Sequence, residues 1–136
     1  MTPDPACCSP HTTLDDVAKL MAQHDCGEIP IIDMADHPIG VITDRDIVCR
    51  VVADGKNPGA HTAEQYMTRP VVTVHEDWPL DQVVSTMASH RLHRTVVVDD
   101  EACCIGIVAL ADVARVAEPP AVVGLVRALA GDDPHA

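Results

Sequence analysis

Residues 40–48, with the sequence GVITDRDIV, indicate how the surrounding chain folds. An apolar run ends at Thr43, an acid follows three positions later at Asp46, and apolar residues then resume. Thr-x-x-Asp approximates a capping box, in which the hydroxyl and the acid bind free N–H groups at the start of a helix. The segment therefore predicts a strand that ends at Thr43 and a helix from about Asp44. It leaves open whether these polar residues also hold a ligand.

The segment recurs 66 residues later as GIVALADV, and the recurrence extends over most of the chain. Aligned without gaps at that offset, positions 1–46 and 67–112 share 12 identical residues. Many other aligned pairs are apolar in both copies, such as Ile31 with Val97. Identities scattered at one fixed offset indicate two copies of one supersecondary unit.

Each copy has the pattern of a strand, a helix, a strand hairpin and a final helix. In the first copy we expect a strand at 6–8, helices at 14–24 and 44–53, and hairpin strands within EIPIID and IGVIT. In the second copy we expect a strand at 71–74, helices at 80–90 and 111–117, and hairpin strands within RTVVVDD and CCIGIVAL. Gly27 is a plausible stop for the first helix. The remaining elements are a linker at 55–59, a short helix at 62–67 and an amphipathic C-terminal helix at 121–130.

A single unit of this kind cannot bury both its sheet and its helix faces, whereas two copies can. We therefore predict an α/β (α+β) fold in which two β-α-β-β-α repeats pack sheet-to-sheet with pseudo-two-fold symmetry. The first repeat is assigned to residues 1–62 and the second to 63–118. Residues 119–136 form a C-terminal helix and tail.

Composition narrows the class of protein. Hydrophobic residues make up 47% of the 136 residues, which is enough for a core, although Phe is absent. The formal net charge of −12 argues against a nucleic-acid or anionic-membrane binder, because both need a basic surface. No apolar run approaches the roughly 18 residues needed to span a bilayer. The N-terminus lacks the features of a signal peptide, so we expect a cytoplasmic protein with mostly reduced thiols.

The tandem pattern resembles a known family. The segments HDCGEIPIID, HRLHRTVVVDD and IGVITDRDIV, together with the Met-Thr that begins each copy, are similar to the cystathionine-β-synthase (CBS) domain pair, or Bateman module. The resemblance covers about residues 1–117. It implies a stand-alone, non-enzymatic regulatory module, often a homodimer, that binds an adenosine-containing ligand between its repeats and signals to a protein partner. AMP, ADP, ATP and S-adenosylmethionine are the expected ligands, and no cofactor is required.

The resemblance also implies site residues. Thr43 would meet a phosphate beside Asp44, and Asp46 would accept the ribose hydroxyls. The opposite repeat would complete this cleft with Thr68, Val71 and Val72 around the adenine and Arg94 facing the phosphate.

The second copy departs from this pattern. Ala109 stands in the place of Thr43, so only Asp112 remains of the pair. Glu28 occupies the position equivalent to Arg94, and an acid there would repel a phosphate. We therefore expect one competent cleft at most, built on Asp46 and Arg94. The Asp112 cleft would lack a cation and be empty or take a less anionic ligand.

Two alternatives stay open. The chain could be a ligand-free dimeric scaffold whose C-terminal helix docks a partner or the sister chain. It could also be a thiol- or metal-responsive switch, because Cys7–Cys8 and Cys103–Cys104 come from different repeats and could meet. The six cysteines have no C-x-x-C spacing, and no catalytic motif is present.

Overall fold

A computed structural model describes residues 1–130 of the chain. The first repeat contains five elements: β1 (Thr2–Pro3), α1 (Leu14–His24), β2 (Glu28–Ile32), β3 (Pro38–Thr43) and α2 (Asp44–Ile47). A π-helical turn, Val48–Val52, continues α2. A 3-10 turn (Pro58–Ala60) and α3 (Ala63–Tyr66) lead into the second repeat.

The second repeat has the same element order. It comprises β4 (Thr73–His75), α4 (Leu80–His90), β5 (Arg94–Val98), β6 (Cys104–Ala109) and α5 (Leu110–Val116). Helix α6 (Pro119–Leu129) follows it. The mixed α/β class predicted from the sequence is confirmed, and α1 and α4 have the predicted bounds.

The two sheets are related by the 66-residue repeat. Strands β1, β6, β5 and β4 form one sheet in that order, and β2 and β3 form a second, antiparallel pair. Single bridges extend this pair at both edges, from Thr68 to β3 and from Cys8 to β2. They correspond to the pairings of β1 with β6 and of β4 with β5. The first residues of each repeat, Thr2–Pro3 and Thr68, therefore pair with the sheet of the other repeat, whereas Cys8 and β4 pair with strands of their own repeat.

Four local predictions differ from the structure. The strand expected at 6–8 is reduced to the single parallel bridge of Cys8, and the strand expected at 71–74 is Thr73–His75. Gly27 does not end α1, because Asp25 adopts the left-handed conformation first, with φ 50°. Asp tolerates this conformation better than most residues. The helix from Asp44 changes from α to π geometry after Ile47.

Each repeat has its own hydrophobic core, and different helices complete the two cores. Equivalent residues of α1 and α4, such as Val17 with Val83, lie at the centre of each. Tyr66, at the end of α3, belongs to the first core, whereas Leu125 of α6 belongs to the second. Helix α6 thus packs on its own chain. None of the helices within residues 1–130 is long and apolar enough to cross a bilayer.

Candidate ligand-binding clefts between the repeats

Two clefts lie between the repeats and are related by the same 66-residue offset. The large cleft, about 280 Å³, is lined by Asp4–Ala6, His24–Glu28, Arg94, Ile107 and Ala109. The small cleft, about 70 Å³, is lined by Glu28, Val41, Thr68, Pro70–Val72, Leu92 and Arg94–Val96. Most lining residues of one cleft have their repeat equivalents in the other, including the exchanged pair Glu28 and Arg94.

The structure brings together half of the residues predicted for the ligand site. Thr68, Val71, Val72 and Arg94 line the small cleft, with Val41 of β3. The other four predicted residues, Thr43, Asp44, Asp46 and Asp112, lie beside the clefts at the starts of α2 and α5 and are not among the lining residues.

Thr43 and Asp46 form the capping box that the sequence predicts. The Asp46 N–H donates to the Thr43 hydroxyl at 3.1 Å, and the Thr43 N–H donates to Asp46 Oδ2 at 3.0 Å. The other carboxylate oxygen of Asp46 lies 3.9 Å from the Arg50 guanidinium. Asp46 therefore has a structural partner on one oxygen, and its Oδ1 is less tightly held.

The equivalent position in the second repeat keeps only half of this box. The Ala109 N–H donates to Asp112 Oδ2 at 2.9 Å, but Ala109 has no hydroxyl to accept the N–H of residue 112. The Oδ1 atom of Asp112 lies 3.5 Å from the Arg115 guanidinium and 3.9 Å from the N-terminal ammonium of Met1.

Glu28 is a buried acid between the two clefts. Only 8% of the residue is exposed, and its Oε2 atom is buried without a hydrogen-bond partner among the described residues. The pKa of Glu28 is raised to about 7, chiefly by burial; the positive charge of Arg94 opposes this shift and the negative charge of Asp46 adds to it. The carboxyl group therefore exchanges its proton near neutral pH.

Arg94 reaches both clefts because Gly27 has no side chain. A Cβ on Gly27 would lie 3.1 Å from Nη2 of Arg94 and 2.9 Å from Oδ2 of Asp44. We expected the cleft on the Asp112 side to lack a cation, and this was wrong, since Arg94 also lines the large cleft. The repeat alignment shows that a basic residue, Arg94, stands in one repeat where an acid, Glu28, stands in the other. It does not show that the guanidinium extends past Gly27 into the large cleft, because that depends on the folded geometry.

Two of the cysteine residues do meet across the repeats. The Sγ atoms of Cys7 and Cys104 lie 3.9 Å apart, and the Cys7 thiol also contacts the Pro5 carbonyl at 3.3 Å. The hydrogen bond from Cys7 lowers the pKa of Cys104, and the pKa of Cys7 is raised by that bond and by burial. Of the two thiols, Cys104 therefore ionises more readily than Cys7.

A separate acidic group surrounds His75 in the second repeat. The Nε2 atom of His75 lies 2.7 Å from Asp100 Oδ1, and its Nδ1 accepts the Asp77 N–H at 3.0 Å. Within residues 1–130, the side chains of His75, Asp77 and Asp100 form the one group of three His, Cys, Asp or Glu residues that are close enough together to bind a metal ion. Both ring nitrogens already have partners, and both acids are exposed.

Comparison with known proteins agrees with this architecture. The chain is 40% identical over 108 residues to an uncharacterized protein of Methanopyrus kandleri, a match that covers 79% of this chain and 55% of that protein. It is 32% identical over 123 residues to hypoxic response protein 1 of Mycobacterium tuberculosis, covering 90% of this chain and 85% of the relative.

Solved structures of related proteins have the same fold. Hypoxic response protein I, solved with two coordinated zinc ions, superposes with a TM-score of 0.76 at 30% identity, covering 87% of this chain and 95% of that one. The CBS domain pair of protein MJ0100, in complex with 5′-methylthioadenosine and S-adenosyl-L-methionine, gives 0.75 at 32% identity, covering 85% and 89%. The CBS domain family model matches residues 1–53 and 63–118, which are the two repeats. This chain belongs to the CBS domain family and carries a tandem CBS pair.

Proposed function

We propose that the chain is a non-enzymatic regulatory module that binds an adenosine-containing ligand between its repeats and signals to a protein partner as a homodimer. The observation that carries the proposal is the pair of related clefts, each lined in part by apolar residues and reached by Arg94. The complex of the MJ0100 domain pair with two adenosine derivatives supports it.

The residues beside the clefts suit the parts of such a ligand. Val41, Val71 and Val72 offer apolar surface for the adenine. The Arg94 guanidinium would pair with an anionic group. Asp46 Oδ1 is not used by the helix cap and lies 3.9 Å from the Arg50 guanidinium, and it would accept the ribose hydroxyls.

The sizes of the two clefts favour the large cleft, which Ala109 lines, as the first ligand site. Ligand sites usually measure about 300–1,000 Å³, which the large cleft approaches and the small cleft does not. We infer that a first ligand enters the large cleft, beside Asp112. The predicted set around Asp46, Thr43 and Thr68 would hold a ligand only after the small cleft widens.

Calorimetry with matched variants tests the proposal. AMP, ADP, ATP and S-adenosylmethionine are titrated into reduced protein, and the titrations are repeated with Asp46→Asn and Asp112→Asn. Asparagine keeps an oxygen for the capping N–H but loses the charge, so both variants should fold. We expect saturable binding of at least one ligand, and a loss of about tenfold or more in affinity in Asp112→Asn. A loss confined to Asp46→Asn would move the site to the small cleft, and no binding by any of the four would contradict the function.

A thiol-responsive switch is a second candidate, favoured by the 3.9 Å separation of Cys7 and Cys104. With a small-molecule disulfide as oxidant, the Cys104 thiolate would attack one sulfur and release a thiolate. The Cys7 thiol would then lose its proton, attack the mixed disulfide and release the second thiol. The two sulfurs must approach to about 2.05 Å, so the segment around Cys7 would move.

Thiol counting and mass spectrometry test the switch. After treatment with oxidised glutathione, we expect two fewer free thiols and a mass lower by two hydrogens in the wild type and in Cys49→Ala, which changes an exposed thiol. Cys7→Ala should not form this cross-link. Six free thiols after oxidation, together with no zinc bound to the native protein, would contradict a thiol or metal switch.

A further inference from the structure

We propose that Glu28 selects the ligand of the large cleft by accepting a hydrogen bond from a cationic amino group, so that the cleft prefers a zwitterionic adenosine derivative to a nucleotide phosphate. The ligand class is an adenosine that carries both an ammonium and a carboxylate group. This inference rests on the proposed adenosine-binding function and concerns the same site.

The unpaired oxygen of Glu28 is the observation that indicates a ligand. Its Oε2 atom is buried without a protein partner, in a residue that is 8% exposed and lines the cleft. A buried polar atom without a partner is costly, and native structures usually satisfy such an atom. A donor on a bound ligand would supply the missing hydrogen bond.

The opposite charge lies on the same cleft wall. Glu28 and Arg94 begin the equivalent strands β2 and β5, and both line the large cleft. A phosphate would pair with Arg94 but would also lie near the Glu28 carboxyl, which would have to stay protonated. An amino-acid end group would place its carboxylate at Arg94 and its ammonium at Glu28, and would therefore satisfy both.

Because the charged groups around Glu28 oppose one another, a bound ligand can change the protonation of its carboxyl group. Arg94 from β5 favours the ionised carboxyl, and Asp46 from α2 opposes it. The other titratable side chains that line the large cleft are those of Asp4, His24, Asp25 and Cys26. A bound ammonium would favour ionisation and release a proton, whereas a bound phosphate would favour protonation and take one up.

Calorimetry in two buffers of different ionisation enthalpy measures this proton exchange just below neutral pH. The probes are S-adenosylmethionine, AMP and 5′-methylthioadenosine, which lacks the amino-acid group. We expect S-adenosylmethionine to bind tightest and to release protons, and AMP to take them up. Glu28→Gln should lose about tenfold to a hundredfold in affinity for S-adenosylmethionine and keep its affinity for 5′-methylthioadenosine. Proton release should disappear in this variant.

Glu76→Gln, which changes an exposed acid, is the matched control and should behave like the wild type. Retained binding of 5′-methylthioadenosine by Glu28→Gln shows that this variant is folded. If AMP binds as tightly as S-adenosylmethionine, or if proton release persists in Glu28→Gln, the role of Glu28 is wrong while the adenosine-binding function stands. If none of the three probes binds to the wild type, the role of Glu28 is wrong, and if ADP and ATP also fail to bind, the proposed function itself fails.

Discussion

In the first repeat the residue that begins the buried strand is Glu28, and in the second repeat it is Arg94. The backbones around them are equivalent, since each strand pairs antiparallel with the strand that follows it. Glu28 is buried with an unpaired oxygen, whereas Arg94 extends past Gly27 to reach both clefts. Duplication of a fold thus supplies two related clefts, and exchange of one charged residue makes them chemically different.

The two cores differ in a similar way. The first is completed by α3, including Tyr66, which begins the second repeat, and the second by Leu125 of the C-terminal helix. Each core therefore includes a helix from outside its own β-α-β-β-α unit. The C-terminal helix is therefore part of the second repeat's core.

Leu125→Ala should give the largest loss of stability. Leu125 is 1% exposed, and truncating such a side chain typically costs about 3 kcal/mol through lost burial and the cavity that remains. Chemical denaturation of the variant measures the free energy of unfolding. Val123→Ala, at a position on the same helix that is 49% exposed, should cost less than about 1 kcal/mol. Equal costs at the two positions would show that α6 does not complete the second core.

Glu28→Gln should change how stability depends on pH. The folded protein holds the Glu28 proton up to a pKa of about 7, against 4.5 for an ordinary Glu, so wild-type stability falls as pH rises between these values. The loss is about 3 kcal/mol when complete, at 1.36 kcal/mol for each pH unit. Glutamine cannot ionise and should avoid this loss. The stability of the variant relative to the wild type should therefore increase as pH rises from 4.5 to about 7.

The informative quantity is the difference in unfolding free energy between the wild type and Glu28→Gln at each pH, because contributions common to both proteins cancel in it. Glu76→Gln should show no such trend. A difference that stays constant from pH 4.5 to about 7 would mean that folding does not raise the pKa of Glu28 above its ordinary value of 4.5.

The repeat and its helices could be predicted from the sequence because they depend on local patterns. Apolar spacing gave α1 and α4, and Thr-x-x-Asp gave the cap at Thr43. The clefts could be predicted only in part. The burial of Glu28 and the reach of Arg94 depend on contacts between distant segments, which no local pattern encodes. For the same reason, the sequence could not decide whether cysteines of the two repeats, such as Cys7 and Cys104, are in contact.

The smallest expected effect concerns the two helix caps. Thr43→Ala removes the hydroxyl that accepts the Asp46 N–H and should cost about 1 kcal/mol. Ala109→Thr should add the missing hydroxyl to the second repeat and stabilise the protein by a similar or smaller amount. The two substitutions exchange the residues of the repeats, so their effects on the denaturation midpoint should have opposite signs. If Ala109→Thr destabilises the protein instead, the large cleft beside Ala109 lacks room for the added atoms, and the absence of a hydroxyl there serves the cleft.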